Sequence, residues 1–276
     1  MHAPQRSSVG SGDRRTVDAV TQRPVALITL AGSYVGPALA RLLAGSGHDF
    51  VLHLPPADDR LMSSGDAPDL VDELRAAGSA VEVVTDADLT TATGNQAIVQ
   101  AALARFGRID AACFVTGAII TKRFLNTDAA MWERIKRVNL DMVFHALQAV
   151  LPPMVEAGRG QVVVFTSATG ARPEPGVSIY SATRAGANAL VRAVGLEFAH
   201  TGVTVNAIGT NFMDFPGFRL ATGADDPERR KVIESQVPMR RLGTMEELAE
   251  FTVVLLDGRS RFQTGQFFSF SGGWSP

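Results

Sequence analysis

Three residues stand at spacings suited to acid–base chemistry: Ser167, Tyr180 and Arg184. Ser167 ends the apolar run 161–166, and Tyr180 and Arg184 follow in a segment with helical spacing. Tyr180 and Arg184 are four positions apart, so they share one helical face with Cβ atoms roughly 5–6 Å apart. A guanidinium beside a phenol favours the phenolate and lowers the tyrosine pKa from its reference near about 10. That makes Tyr180 a usable base near neutral pH. Ser167, reaching from a strand end, can hydrogen-bond a substrate oxygen beside the phenol. An isolated Tyr-x-x-x-Arg is more often a packed ring and an arginine that snorkels to solvent. The serine thirteen residues before Tyr180, at a strand end, tilts the reading toward catalysis.

What such a site can hold depends on the turn Thr29-Leu30-Ala31-Gly32-Ser33-Tyr34-Val35-Gly36. It follows an apolar strand and opens a helix, where a Rossmann-type fold keeps its phosphate-binding glycines. Glycines are needed there because a pyrophosphate must approach the backbone closely and the helix N-terminus must be open to it. Only Gly32 and Gly36 are present, with Tyr34 between them. A phenol at that position fills the space of a nicotinamide, so the expectation is no cofactor and no cofactor-binding residues.

The elements that must position these residues alternate along the chain. Strands are expected at 25–30, 49–54, 80–84, 108–115, 161–166, 203–208 and 266–270. Helices are expected at 37–44, 69–77, 91–106 (capped by Thr90 or Thr91), 178–200 and 244–256. A long amphipathic segment spans 128–157, with Leu140, Val143, Phe144, Leu147, Val150 and Leu151 on one apolar face. A loop-rich insert with Pro216, Gly217, Gly223 and Pro227 precedes the last helix. Continuous apolar strands alternating with helices predict an α/β fold: one doubly wound Rossmann-like domain with a parallel sheet of about seven strands, buried on both faces. Ligands bind such sheets at the carboxyl ends of the strands.

Composition bounds the rest. With 276 residues and 46% hydrophobic content the chain can bury one large core. A net charge of −2 and a pI near 6.2 give no case for nucleic acid or anionic membrane, and no stretch reaches the apolar length of a membrane span. The single cysteine, Cys113, lies in an apolar run and reads as a buried, inert thiol in a reducing cytoplasm. The five histidines show no metal-ligand spacing, so no metal is expected. Residues 1–22 read as a polar, disordered tail without a secretory signal, leaving 23–276 as the catalytic domain. Trp132 and Trp274 read as packing or interface residues, and Phe215, Phe218 and Leu220 as candidate pocket walls.

Ser167-x12-Tyr180-x3-Arg184 resembles the short-chain dehydrogenase/reductase superfamily, which usually has lysine where Arg184 stands. Arginine there, together with Thr29-x4-Tyr34-x-Gly36, resembles the halohydrin dehalogenases, cofactor-independent relatives on the same fold. Further similarity runs through 166–169, 180–186, 207–211, 241–244 and 264–266. The resemblance implies conversion of vicinal halohydrins to epoxides plus halide and, in reverse, epoxide opening by azide, cyanide, nitrite or halide. Ser167 would hold the substrate hydroxyl, and Tyr180, with Arg184 lowering its pKa, would remove the proton. A halide nest would form from Thr210, Asn211, Phe212 and Met213, with the Phe212 and Met213 amides as donors and Tyr34 as one wall. Thr210 stands where that family often has proline. Asn139 matches an asparagine that supports the catalytic helix in many reductases. Asp88 matches an adenine contact but reads here as a polar residue at a helix start. The partners implied are a small halohydrin or epoxide and a small anion, in a homotetramer whose interface includes the apolar end 262–274.

Two other readings stand beside this one. An NAD(P)-dependent reductase would require Tyr34 to swing aside and Arg184 to replace lysine; after the second strand only Asp58 and Asp59 offer acidic groups for a ribose. The third reading is a non-catalytic ligand-sensing domain.

Overall fold

A computed structural model of the chain describes residues 23–55 and 69–276. The expected tail at 1–22 and the pair Asp58 and Asp59 lie outside the described residues. Seven strands alternate with helices: β1 (Val25–Ile28), α1 (Gly36–Gly45), β2 (Asp49–His53), α2 (Leu70–Ala76), β3 (Val81–Val84), α3 (Ala92–Phe106) and β4 (Ala111–Phe114). The second half holds α4 (Ala129–Lys136), α5 (Met142–Glu156), β5 (Gly160–Ser167), α6 (Ser178–Glu197), β6 (Val203–Thr210), α7 (Pro216–Thr222), α8 (Pro227–Ser235), α9 (Met245–Val253) and β7 (Phe267–Phe270).

All strand pairs are parallel, in the order β3-β2-β1-β4-β5-β6-β7. This is the single doubly wound α/β domain expected from the sequence. The central strands β1, β4 and β5 are buried at every residue, which is why they read as unbroken apolar runs rather than alternating ones. The order reverses between β1 and β4, and the crevice at that switch point, outside the strands' carboxyl ends, is where such sheets bind ligands.

Local chemistry fixes the helix ends. Thr91 caps α3 by accepting the Gly94 amide, and Gly107 ends it in the left-handed conformation. Asp128 caps α4 through the Met131 amide, and Thr244 with Glu247 forms a capping box at α9. The segment 128–157 is not one uniform helix: a π-helical turn, Arg137–Asp141, joins α4 to α5. Phe144 departs from the expected apolar face and is 47% exposed. The loop-rich insert carries α7 and α8. Pro227 opens α8 at its first turn behind the Asp226 cap, and Gly223 closes α7 in the left-handed region. No helix among the described residues is long and apolar enough to cross a membrane.

Candidate active site

Ser167 ends β5 directly beside Thr210, its register partner at the end of β6. Its hydroxyl lies 2.9 Å from Thr169 Oγ1, accepts the Thr169 amide at 3.2 Å and reaches the Thr210 carbonyl at 3.5 Å. A short 3-10 turn, Ala168–Gly170, thus holds Ser167 at the mouth of the sheet.

Tyr180 and Arg184 occupy the first turns of α6, and both are buried. The Arg184 guanidinium carbon lies 5.4 Å from the Tyr180 ring centroid, so the two share a face as expected. The arginine's hydrogen bonds go to the end of β4: Nη1 donates to Thr116 Oγ1 at 2.9 Å and Nη2 to the Thr116 carbonyl. Among the described residues it has no carboxylate partner, and its Nε is buried without an acceptor. The Thr116 hydroxyl itself donates to the Phe165 carbonyl at 2.9 Å, tying β4 to β5 behind the site. Gly117 follows at φ +94°, and a Cβ there would collide with the Arg184 guanidinium and the Asn139 amide. Asn139 sits in the π-helical turn and donates to the carbonyls of Ala118 and Ile135. Sequence reasoning missed Thr116; the signal available was a threonine just past a buried strand and before a glycine.

Tyr34 reaches inward from the turn after β1. Its hydroxyl donates to Thr210 Oγ1 at 2.7 Å, and its ring stands edge-on to Phe165 and Phe215, with centroids 5.9 and 4.9 Å away. Burial pushes the Tyr34 phenol well above the ordinary range, so it is a proton donor at neutral pH. Its backbone is left-handed at φ +53°, and Leu30 at φ +50° shares that conformation in the same turn. Non-glycine residues hold such dihedrals at an energetic cost, and they cluster at functional sites. On the phosphate side, α1 begins without a capping side chain and without an acidic residue in its first turn. The turn is tied to its neighbours by His53, which accepts the Leu30 amide at Nδ1 (3.4 Å) and bonds the Ala87 carbonyl at Nε2 (3.1 Å).

The loop after β6 differs from the expected anion nest. The Phe212 amide is already taken by Asn211 Oδ1 at 3.0 Å. Phe212 stands at φ +56° with its ring against Trp274 and Phe218. Met213 is buried and bridges to Gly243. Arg172 stacks on Trp274 at 4.6 Å and bonds its carbonyl, which packs this tryptophan into the domain. Among the expected pocket walls, Phe215 lies on Tyr34 and Phe218 packs on Phe212, while Leu220 is 87% exposed. Asp88 accepts the amide and hydroxyl of Thr90 just before α3. Among the described residues no three His, Cys, Asp or Glu side chains form a group that could hold a metal.

Residues 32–275 match the sequence model of the family described as Enoyl-(Acyl carrier protein) reductase. The chain is 29% identical over 259 residues to a D-beta-hydroxybutyrate dehydrogenase of Rhizobium meliloti, covering 91% of this chain and 98% of that one. It is 30% identical over 251 residues to a 2,5-dichloro-2,5-cyclohexadiene-1,4-diol dehydrogenase of Sphingobium indicum, covering 91% and 96%. Its fold matches the crystal structure of acetoin dehydrogenase from Enterobacter cloacae with a TM-score of 0.79 at 28% identity, covering 92% of this chain and 96% of that chain.

These relatives are dehydrogenases and reductases, which overturns the expectation of a cofactor-independent, halohydrin-converting lyase. The halide roles expected for Tyr34, Thr210, Asn211, Phe212 and Met213 were tied to that reaction. In the structure the Phe212 amide, one of the two donors expected for that nest, is donated to Asn211, and Tyr34, its expected wall, is bonded to Thr210. The chain belongs to the short-chain dehydrogenase/reductase family.

Proposed function

We propose that the chain is an oxidoreductase interconverting a hydroxyl and a carbonyl group on a small organic molecule. The observation that carries this reading is the buried pair of Ser167, at the end of β5, and Tyr180, on the first turn of the helix that follows. The names of similar proteins, which refer to hydroxybutyrate, acetoin and a cyclohexadienediol, support a small hydroxy or oxo compound as substrate.

In this reading Ser167 donates a hydrogen bond to the substrate oxygen. Tyr180 takes the hydroxyl proton during oxidation and returns it to the carbonyl oxygen during reduction. Proton transfer by a positioned side chain contributes roughly 10²–10⁴-fold in rate. Arg184 is a positioning residue: its fixed charge lies against the phenol ring, and Thr116 holds its guanidinium in place.

The family implies a nicotinamide dinucleotide as the hydride partner. The phosphate side is compatible with it, since the start of α1 is free of acidic and capping side chains and a helix N-terminus favours anions. The nicotinamide end does not fit as the residues stand. The Tyr34 ring spans from the turn to the end of β6, and Arg184 points one donor of each Nη at Thr116. The test is oxidation of a panel of small secondary alcohols with NAD+ and NADP+, following reduced nicotinamide, in wild type and in Tyr180→Phe.

A homotetramer in the cytoplasm belongs to the same proposal. In support, an outward groove of about 280 Å³ runs along α5 and α6, lined by Phe144, Leu147, Leu151, Val194 and Phe198 among others. The lone thiol, Cys113, is buried, and burial pushes its pKa up.

A further inference from the structure

The cleft and a dinucleotide disagree at one side chain. Tyr34 lies edge-on to Phe165 and Phe215 and spans from the turn after β1 to the end of β6. It is held by one side-chain hydrogen bond, to Thr210, and by the edges of those two rings, so releasing it breaks no strand pairing and no helix.

We propose that Tyr34 and Thr210 form a displaceable clasp that closes the nicotinamide end of the cleft. A dinucleotide would engage first through its adenosine and pyrophosphate, and its nicotinamide end would enter only after the Tyr34 side chain has swung out. This inference rests on the oxidoreductase reading. The clasp also bears on the substrate side, because the Thr210 carbonyl accepts the Ser167 hydroxyl at 3.5 Å. Opening it frees Thr210 Oγ1 beside the residue that holds the substrate oxygen, so cofactor entry and oxygen binding are coupled through one threonine.

A ligand that needs a minor state binds more weakly by the fraction of time that state is open. A clasp open about a tenth to a hundredth of the time lowers dinucleotide affinity roughly ten- to hundredfold. ADP lacks the nicotinamide end and escapes that penalty.

The experiment is equilibrium titration of the full chain with ADP, NADH and NADPH. Wild type is compared with Tyr34→Gly, which suits the left-handed backbone, and with Tyr34→Phe and Thr210→Val, which remove only the hydrogen bond. Affinity for the preferred reduced dinucleotide is expected to rise about tenfold or more in Tyr34→Gly. It should rise by a smaller factor in the other two, with ADP affinity unchanged throughout. Thr210→Val, close in shape to the native residue, decides the matter if Tyr34→Gly does not fold. Equal dinucleotide affinity in wild type and the folded variants overturns the clasp and leaves the oxidoreductase reading standing. Absence of binding of either dinucleotide by any variant overturns both.

Discussion

The hydroxyl of Tyr34 donates to Thr210 Oγ1 at 2.7 Å across 176 positions of sequence. Thr210 is also the register partner of Ser167, and its carbonyl accepts a hydrogen bond from that serine's hydroxyl. One threonine therefore joins the turn where the family binds phosphate to the residue assigned to the substrate oxygen. Proline at that position could not accept the phenol through a side chain, so the clasp depends on a residue type the family resemblance would not have supplied.

Arg184 holds the end of β4 against α6 through both polar groups of Thr116. Arg184→Met leaves that carbonyl buried and without this donor, a loss of about 1–3 kcal/mol. Urea unfolding is expected to show a lower midpoint with an unchanged slope. Arg184→Lys, with one nitrogen in place of a fork, should fall between the two. An unchanged midpoint in Arg184→Met would show that the guanidinium does not brace the site.

Gly36 opens α1 with no room for a side chain: a Cβ would come 2.5 Å from the Ala31 carbonyl oxygen. Gly36→Ala is expected to destabilise by about 1–3 kcal/mol, the usual cost of overpacking. Wild-type stability in this variant would mean that the turn yields easily, contrary to the close packing described.

Stability should fall in acid in two stages. Burial holds the His48 imidazole below its ordinary value, although its bond to the Leu43 carbonyl opposes this. As pH drops below about 6.5 the unfolded chain takes up a proton that folded His48 resists, so stability declines. Burial alone would push the Asp110 carboxyl up, but bonds from Arg108, the Val25 amide and Arg159 outweigh it and hold the group below the usual carboxylate range. Its contribution is complete above about pH 4 and is lost as pH falls through its folded value. Chemical unfolding across pH should show both declines, with His48→Gln flattening the first and Asp110→Asn the second. A flat profile from neutral pH to below about 4 would contradict these assignments.

Phe144 is 47% exposed on α5 and lines the outward groove that α6 completes. Size-exclusion chromatography with light scattering is expected to give a tetramer for wild type and a smaller species for Phe144→Asp. A monomeric wild type would remove the assembly proposal.

Much of the fold was legible because its physics is local. The buried strands read as unbroken apolar runs, and the threonine pair Thr90 and Thr91 marked the start of α3, which Thr91 caps. The π-helical turn at Arg137–Asp141 left no mark on the apolar spacing. Pro216, Gly217, Gly223 and Pro227 suggested loops, yet Pro227 begins one helix and Gly223 ends another, so the punctuation marked helix boundaries. The closeness of Tyr180 and Arg184 was visible from their four-residue spacing. The partners of Arg184 and Tyr34 were not, because Thr116 and Thr210 arrive from other strands. Two unusual side chains, Tyr34 and Arg184, were read as a lost cofactor and a changed reaction. Similarity to dehydrogenases and reductases over about nine-tenths of the chain weighs against that change, and the chain's own bonds show those two side chains engaged with threonines instead.

The most direct test is formation of reduced nicotinamide from small secondary alcohols with NAD+ or NADP+, measured in wild type, Tyr34→Gly and Tyr180→Phe. The oxidoreductase account predicts alcohol-dependent formation in wild type, faster in Tyr34→Gly at low cofactor concentration. It predicts a loss of about 10²–10⁴-fold in folded Tyr180→Phe. No reduced nicotinamide from any alcohol in wild type or Tyr34→Gly, or undiminished turnover in Tyr180→Phe, would contradict it.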